Sequence, residues 1–494
     1  MAVTWREYHE ATKHTVASLR RAPHLLDWAN MPNPFRHYEG APVLDLPADP
    51  PAPEMPALEV LRGVSGFTPA GEGATFLSQL LFYSAAISAS KRVPSTGYRY
   101  ALRVNPSSGN LHPTEFHFRT RGVKEWPDGL YHYIPSTHMA EQRALGDIEM
   151  KSGGSSAPLV FVLTSITWRE AWKYGDRAYR YCLHDIGHAW QALVLAARAI
   201  GCDSFAAGDF PDDEVAQRCR LSDDEAPMLL VELRGTSIPA RESSAGGTVW
   251  YGGQANQLSA EKGSNEWIER IHDATKLSTV TQRGTVVAER LPTGFGEIKL
   301  PRPAPSRRTF GKVARLRRSA LDFLGGTQSI SLTQLSAILE ASSRPFFADF
   351  AGTPFVQLYL YAHRVELLKP GVYRHWPESA ELERIKDGDQ RVVAAGLSLG
   401  QKLASNACVA FSMVADLERA ARAHGDRGYR YVHFEAGAIG HRLYLAAEAL
   451  GLGATGIGAF YDEEVHRYLR LPPQQQVVYH FAIGYPVPDV RVRG

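Results

Sequence analysis

The residues best equipped for chemistry lie in one short stretch, Arg103 to Thr120, which reads RVNPSSGNLHPTEFHFRT. Pro106, Ser107, Ser108, Gly109 and Asn110 crowd two hydroxyls and an amide into a turn, and such a turn presents hydrogen-bond donors. The alternating run that begins at Thr114 predicts a strand holding the turn against a core. A turn of this composition can equally be a plain β-turn with no ligand. His184 and His188 stand four apart, a spacing that places both imidazoles on one helix face and could bind a metal. No third ligand presents itself, so no metal site is expected. Lys173 and Tyr174 are an adjacent titratable pair, and a lysine acts as a base near neutral pH only if burial lowers its pKa or a phenol acts with it. The plain alternative for this pair is an exposed approach to a helix.

What must position these groups is read from internal similarity. His9-Glu-Ala-Thr-Lys13 recurs as His272-Asp-Ala-Thr-Lys276, and Leu61-Arg62-Gly63 answers Leu316-Arg317-Arg318. GDRAYRY from Gly175 recurs as GDRGYRY from Gly425, a shift of 250 residues that holds without a gap to Val215 and Val465. One domain is used twice, with expected bounds 1–242 and 266–494 and a Gly-, Ser- and Asn-rich linker at 243–265. Two fused copies can pack as a homodimer would, with sites at the shared interface.

In the first copy an amphipathic helix is expected near Trp5 to Leu19, a proline-rich connector at Leu44 to Pro56 and a helix around Phe76 to Ser88. Gly129 to Tyr133 and Pro158 to Leu163 read as strands, Tyr179 to Ile200 as a buried helix, and Met228 to Leu233 as the closing strand. The second copy repeats this order through Ser331 to Ala341, Phe355 to His363, Ala407 to Val414, Tyr429 to Leu450 and Val477 to Gly484. The fold class is α+β: two tandem domains, each a mixed β-sheet flanked by helices, packed as an intrachain pseudo-dimer.

Composition narrows the function classes. Hydrophobic content of 44% and charged content of 21% are those of a globular domain. Dispersed charges with a net of +2 argue against a nucleic-acid or membrane partner. No targeting or membrane-spanning segment is read, so a cytoplasmic protein is expected. Cys182, Cys202, Cys219 and Cys408 form no Cys-x-x-Cys pair and read as reduced thiols.

The N-terminal HEATKH, the PSSGNLHPTE turn, the Gly-x-Tyr strand, the DRAYRY helix start and the terminal IGYP together resemble the nitroreductase-like flavoproteins. Among these the chain most resembles the SagB-type dehydrogenases, which oxidise thiazolines and oxazolines in ribosomally made peptides. The resemblance covers nearly the whole chain. It implies FMN as cofactor, a flavin between two domains, ping-pong redox chemistry, a small-molecule or peptide substrate and peptide-modifying enzymes as partners.

In such families an Arg-x-Ser stretch near the domain start binds the FMN phosphate, and Arg317-Arg318-Ser319 matches it. The first copy has Arg62-Gly63-Val64 there, without the hydroxyl. Arg491 and Arg493 after the terminal Gly484-Tyr-Pro486 resemble the family's terminal phosphate arginines; the first copy offers only Arg241. The serine turn shows the opposite bias, since Asp349-Phe-Ala-Gly-Thr353 in the second copy has lost both serines and the asparagine. The resemblance implies that the two halves come from different partners across the interface. One composite site, Arg317 and Ser319 with Pro106, Ser107, Ser108 and Asn110, is then complete, and its counterpart is decayed.

Gly453 to Phe460, with Gly456, Ile457 and Gly458 at its centre, matches the family segment whose backbone approaches the flavin ring. Its alternative is an ordinary helix-to-strand loop. Lys173 and Tyr174 resemble the pair with which azoline-oxidising members deprotonate the ring as hydride leaves. The second copy has Ala423 and His424 there. The expected function is therefore an FMN-dependent azoline dehydrogenase. A nitro or quinone reductase using NAD(P)H is the nearest alternative, and a non-catalytic flavin- or peptide-binding scaffold the alternative of another class. Satisfaction of the interface within one chain means that no further dimer is required.

Overall fold

The computed structural model describes residues 3–21, 26–66, 71–150, 157–243, 247–280, 294–352 and 354–493. Its two copies are built on equivalent six-strand paths, with Val43–Asp45 and Ile298–Lys299 answering each other at the edge. In the first, the order runs Val249–Trp250, Met139–Leu145, Gly129–Ile134, Thr114–Thr120, Leu159–Ser165, Ala226–Arg234, Asp203–Ala207, with Val43–Asp45 added beside Met139–Leu145. In the second it runs Ile298–Lys299, Glu381–Asp387, Gly371–Trp376, Val356–Ala362, Val409–Asp416, Gln475–Gly484, Gly453–Ile457. Registers correspond: Thr114 faces Ser165 as Val356 faces Ala415, and Leu230 faces Ala207 as His480 faces Ile457. The ladders are antiparallel, and parallel pairing enters through isolated bridges such as Ser319 with Ala454 and Ala206 with Ala348.

The copies meet along two long helices, Ala178–Ala199 and Gly428–Ala449, both almost wholly buried. Burial takes in their polar residues as well, among them Arg180, His184, His188 and Gln191 along one face of the first and Arg430, His433 and His441 of the second. Gly187 and Gly437, at equivalent positions, let the backbones touch. A Cβ at Gly187 would lie 2.1 Å from the Phe434 carbonyl oxygen, and one at Gly437 would lie 2.1 Å from that of His184. Only glycine permits that approach. Two buried ionic clusters repeat the symmetry. Arg177 and Arg180 contact Asp462 at 2.9 and 2.8 Å, and Arg427 and Arg430 contact Asp212 at 2.6 and 2.7 Å. Burial opposes the Asp212 charge, but Arg430 and Arg427 hold its carboxyl at about 2. The recurring DR-x-Y-R sequences thus clamp one copy to the other.

Several elements differ from the sequence-based expectation. The first helix ends at Ala11, where the Thr12 hydroxyl bonds the Tyr8 carbonyl and receives Arg180, and a separate helix spans Val16–Arg21. The helix expected to reach Ser88 is Gly73–Phe82; the chain then forms a hairpin, Ile87–Arg92 with Arg99–Arg103, on which the terminal strand Val492–Arg493 adds a third strand. Gly453–Ile457 is a strand. The linker is woven into the first copy: Val249–Trp250 pairs with Leu145 and Ala144, and Gln254–Ala255 with Glu39 and Tyr38.

The strand Thr114–Thr120 is buried on both faces, so its charged residues are paired internally. His132 bonds Glu141 at 2.8 Å and Glu115 at 3.2 Å, and Arg169 reaches Glu115 at 2.5 Å. Burial opposes the imidazolium, yet the hydrogen bonds to Glu115 and Glu141 raise His132 to about 9. A group raised in the folded state contributes stability that is whole below its unfolded pKa of about 6.5 and lost as pH rises through its folded value. Urea midpoints are therefore expected to fall between neutral pH and pH 10 by more in the parent protein than in His132→Gln. Equal slopes would contradict the charged pairing.

Candidate functional site

A cavity of about 680 Å³ opens between the copies, a size typical of cofactor sites. One wall comes from the first copy, with Asn105 to Asn110, Tyr174 and Tyr181. The other comes from the second, with Arg317 to Ser319, Tyr444, Gly456 to Gly458 and Tyr479.

Arg317 follows the helix Phe310–Leu316 and crosses to the first copy, where its Nε donates to the Val104 carbonyl at 2.9 Å and its Nη2 to the Arg103 carbonyl at 3.0 Å. Its Nη1 is buried without a partner, and burial lowers its pKa. Leaving a buried cationic donor unpaired is costly. Other cavity-lining residues also carry buried polar atoms without partners: Arg103 Nε and Nη1, Asn105 Oδ1, His112 Nδ1 and His188 Nδ1. Ser319 Oγ lies 2.8 Å from the Tyr444 hydroxyl, which also accepts the Gly456 N–H at 2.9 Å. The Gly456 amide is thus spent on Tyr444; with the Tyr444 proton donated to Ser319, the serine keeps its own proton to give to a ligand. Arg318 lines the cavity, but its guanidinium donates to the carbonyls of Arg315, Arg317 and Ser88.

The serine turn is held by its own polar groups. Gly109, Asn110 and His112 all have positive φ, and the His112 amide donates to Ser107 Oγ at 2.8 Å. Ser108 donates from its amide and hydroxyl to Asp185 on the central helix, and Asn110 bonds the Ala101 carbonyl and the His112 ring. Burial pushes the Asp185 carboxyl up to about 7. Glu170 lies beside it, fully buried and also raised by burial.

The helix Trp168–Tyr174 brings Lys173 and Tyr174 to this turn. A Cβ on Gly109 would stand 2.6 Å from the Tyr174 hydroxyl and 3.1 Å from Lys173 Nζ, so both reach the same spot. Lys173 is half-buried with its amine 5.2 Å from the centre of the Tyr174 ring. Burial, and then the charge of Glu170, raise the Tyr174 hydroxyl well above its ordinary range, so it remains a phenol.

The terminal arginines are placed differently. Arg491 is not in the cavity wall, because Asp489, two residues earlier, takes its Nε at 2.7 Å. Only the backbone of Arg493 is described, paired with Ser90. Gly456 and Gly458 make room for tyrosines: a Cβ on Gly456 would lie 1.9 Å from the Tyr479 hydroxyl, and one on Gly458 would lie 2.5 Å from the Tyr181 ring. His184 and His188 sit in the interface, where His184 stacks on Tyr479 at 4.2 Å and His188 approaches its hydroxyl at 3.2 Å.

The counterpart place is filled. Phe350 is buried and stacks on Tyr431 at 4.3 Å and 8°, while the pseudo-equivalent Tyr181 lines the cavity. Arg62, matched to Arg317, is paired with Glu340 and Glu59, and Val64 is exposed. Thr353 lies outside the described residues. Sequence reasoning missed Asp185, Tyr444 and Tyr479. The signal was available for the two tyrosines, since the 250-residue register sets them against Val194 and Leu229.

The profile of the Nitroreductase family matches residues 85–235 and 316–485. Protein MJ1384 of Methanocaldococcus jannaschii, named for nitroreductase, is 34% identical over 162 residues, covering 31% of this chain and 81% of that protein. The trifolitoxin-processing protein TfxB of Rhizobium leguminosarum bv. trifolii is 27% identical over 143 residues, 26% of this chain and 37% of TfxB. A crystal structure from Anabaena variabilis, also titled for nitroreductase, is similar over 98% of this chain and 99% of that one, with 25% identity and a TM-score of 0.74.

Proposed function

The chain belongs to the nitroreductase family and is an oxidoreductase of that fold, and we propose that it binds one FMN in the composite cavity and oxidises an azoline or related heterocycle, carried by a peptide or small molecule. The observation that carries this is the meeting of Arg317's unpaired nitrogen, the serine turn and the Lys173–Tyr174 pair around one cavity, while Phe350 fills its counterpart. Similarity to TfxB, whose name assigns it to the processing of a toxin, supports a peptide substrate and peptide-modifying partners. Dispersed charge suits a cytoplasmic setting.

The residues present fit a phosphorylated flavin. Arg317 Nη1 and Ser319 Oγ are the donors for its phosphate, and the serine turn closes the opposite wall. A bound FMN would supply the hydride acceptor for such a substrate. The accompanying proton falls to this chain: Tyr174 Oη stands at the cavity and remains protonated, so it can take a proton only by passing its own on, and the Lys173 amine, in its neutral form, would receive it. Loss of the hydride and that proton converts an azoline to an azole; an external electron acceptor then removes the two electrons.

Purified protein is expected to release about one FMN per chain on heating, as one pairing supplies both halves of the site. Two equivalents would refute the composite site. Anaerobic bleaching of the flavin by a thiazoline, without NAD(P)H, would support the dehydrogenase. Bleaching by NAD(P)H alone would instead favour a nitro or quinone reductase.

A further inference from the structure

A second hydrogen-bonded pair lines the same cavity, His188 on the first copy's central helix and Tyr479 on the strand Gln475–Gly484. His188 Nε2 lies 3.2 Å from the Tyr479 hydroxyl, and His188 Nδ1 is buried without a partner. Buried N–H groups are almost never left unpaired, whereas acceptors sometimes are. The imidazole proton therefore belongs on Nε2, donated to the Tyr479 oxygen. Burial lowers His188 to about 3, which keeps the ring neutral, and raises Tyr479 well above 10, which keeps the phenol protonated. With its oxygen accepting from His188, the phenol has its own proton to donate into the cavity.

The position of that donor is fixed. His184 stacks on the Tyr479 ring at 4.2 Å and 15°, and Gly456 is the residue whose missing Cβ leaves room for the hydroxyl. The pair exists only at this site: the equivalent positions hold Ala438 and Leu229. Tyr444, which bonds Ser319, and Tyr181, which packs edge-on against Tyr174 at 4.8 Å, line the same cavity as Tyr479. His188 is in reach of both the Tyr479 hydroxyl and the Tyr444 ring, at 3.2 and 5.9 Å, so Tyr479 shares one cavity with the phosphate anchor at Ser319 and with Tyr174, and a flavin that meets both passes its hydroxyl.

We propose that the Tyr479 hydroxyl, oriented by His188, donates a hydrogen bond to the redox ring of the bound flavin and stabilises its reduced form, a role that presupposes the FMN assignment above. A fixed donor aimed at developing negative charge favours the charged state. Tyr479→Phe should keep its FMN, shift the flavin visible spectrum and lower the midpoint potential. A tenfold loss of preference for the reduced form corresponds to about 30 mV for a two-electron couple. His188→Asn, which spares the phenol but alters its partner, should move the potential in the same direction by less, and it carries the test if Tyr479→Phe does not fold. FMN bound with an unmoved potential in these variants would overturn the proposal. So would weakened FMN binding without a potential shift, which would place the hydroxyl on the chain linking ring to phosphate. An unsubstituted protein that binds no FMN would overturn the cofactor assignment as well, so the two failures are distinguishable.

Discussion

Arg317→Ala is expected to yield a colourless protein at flavin concentrations that keep the parent yellow. The Arg317 guanidinium is buried, tied through two nitrogens to the Arg103 and Val104 carbonyls, and presents the third unpaired. A ligand phosphate would supply that missing partner through a charge-assisted bond. Such a contact is worth on the order of 1.5–3 kcal/mol, roughly 10- to 150-fold in affinity. The same substitution cuts a link between the copies just before the serine turn, so its effect should exceed that of Ser319→Ala, which removes only a hydroxyl. Arg62→Ala is the control, because Arg62 is engaged by Glu340 and Glu59. Flavin titration followed by fluorescence measures all three. Equal loss in Arg62→Ala and Arg317→Ala would mean that the phosphate is not held at Arg317.

The architecture was legible because duplication prints the same constraints twice. The arginines and tyrosines of Gly175–Tyr181 and Gly425–Tyr431 persist because each arginine pair must meet an aspartate of the other copy. The alternation of Thr114–Thr120 predicts a strand, but nothing in its residue types marks Glu115, His117 and Arg119 as buried. That depends on the segments around Tyr38 and Gln254 folding over the outer face. The hairpin Ile87–Arg103 escaped because it has no counterpart in the second copy and its polar residues blur the period of two. At Gly456 the expected close approach is to a flavin ring, and the group that crowds it in the structure is the Tyr479 hydroxyl, supplied by a neighbouring strand. Arg491 is the opposite case: Asp489 stands two residues away in the chain, so local pairing was readable and was outweighed by family resemblance.

The two activity-bearing side chains should separate chemistry from binding. Lys173→Ala is expected to stay yellow, since Lys173 is not among the groups placed for the phosphate, while the bleaching of flavin by substrate slows roughly 10²- to 10⁴-fold, the usual contribution of a positioned base. Tyr174→Phe should slow the same step, because the phenol is the member of the pair that lines the cavity. If Tyr174 passes the proton to Lys173, the two act as one unit. The double variant should then be little slower than the worse single variant, and stopped-flow rates would show strong non-additivity. Additive losses would indicate independent roles, with Lys173 acting from the half-exposed rim on the substrate itself. Ala423→Lys with His424→Tyr, which restores the pair in the second copy, should add no activity, because Phe350 stacks there on Tyr431, the counterpart of the cavity-lining Tyr181. Unchanged bleaching in Lys173→Ala would remove the lysine from the chemistry and leave the phenol alone to handle the proton.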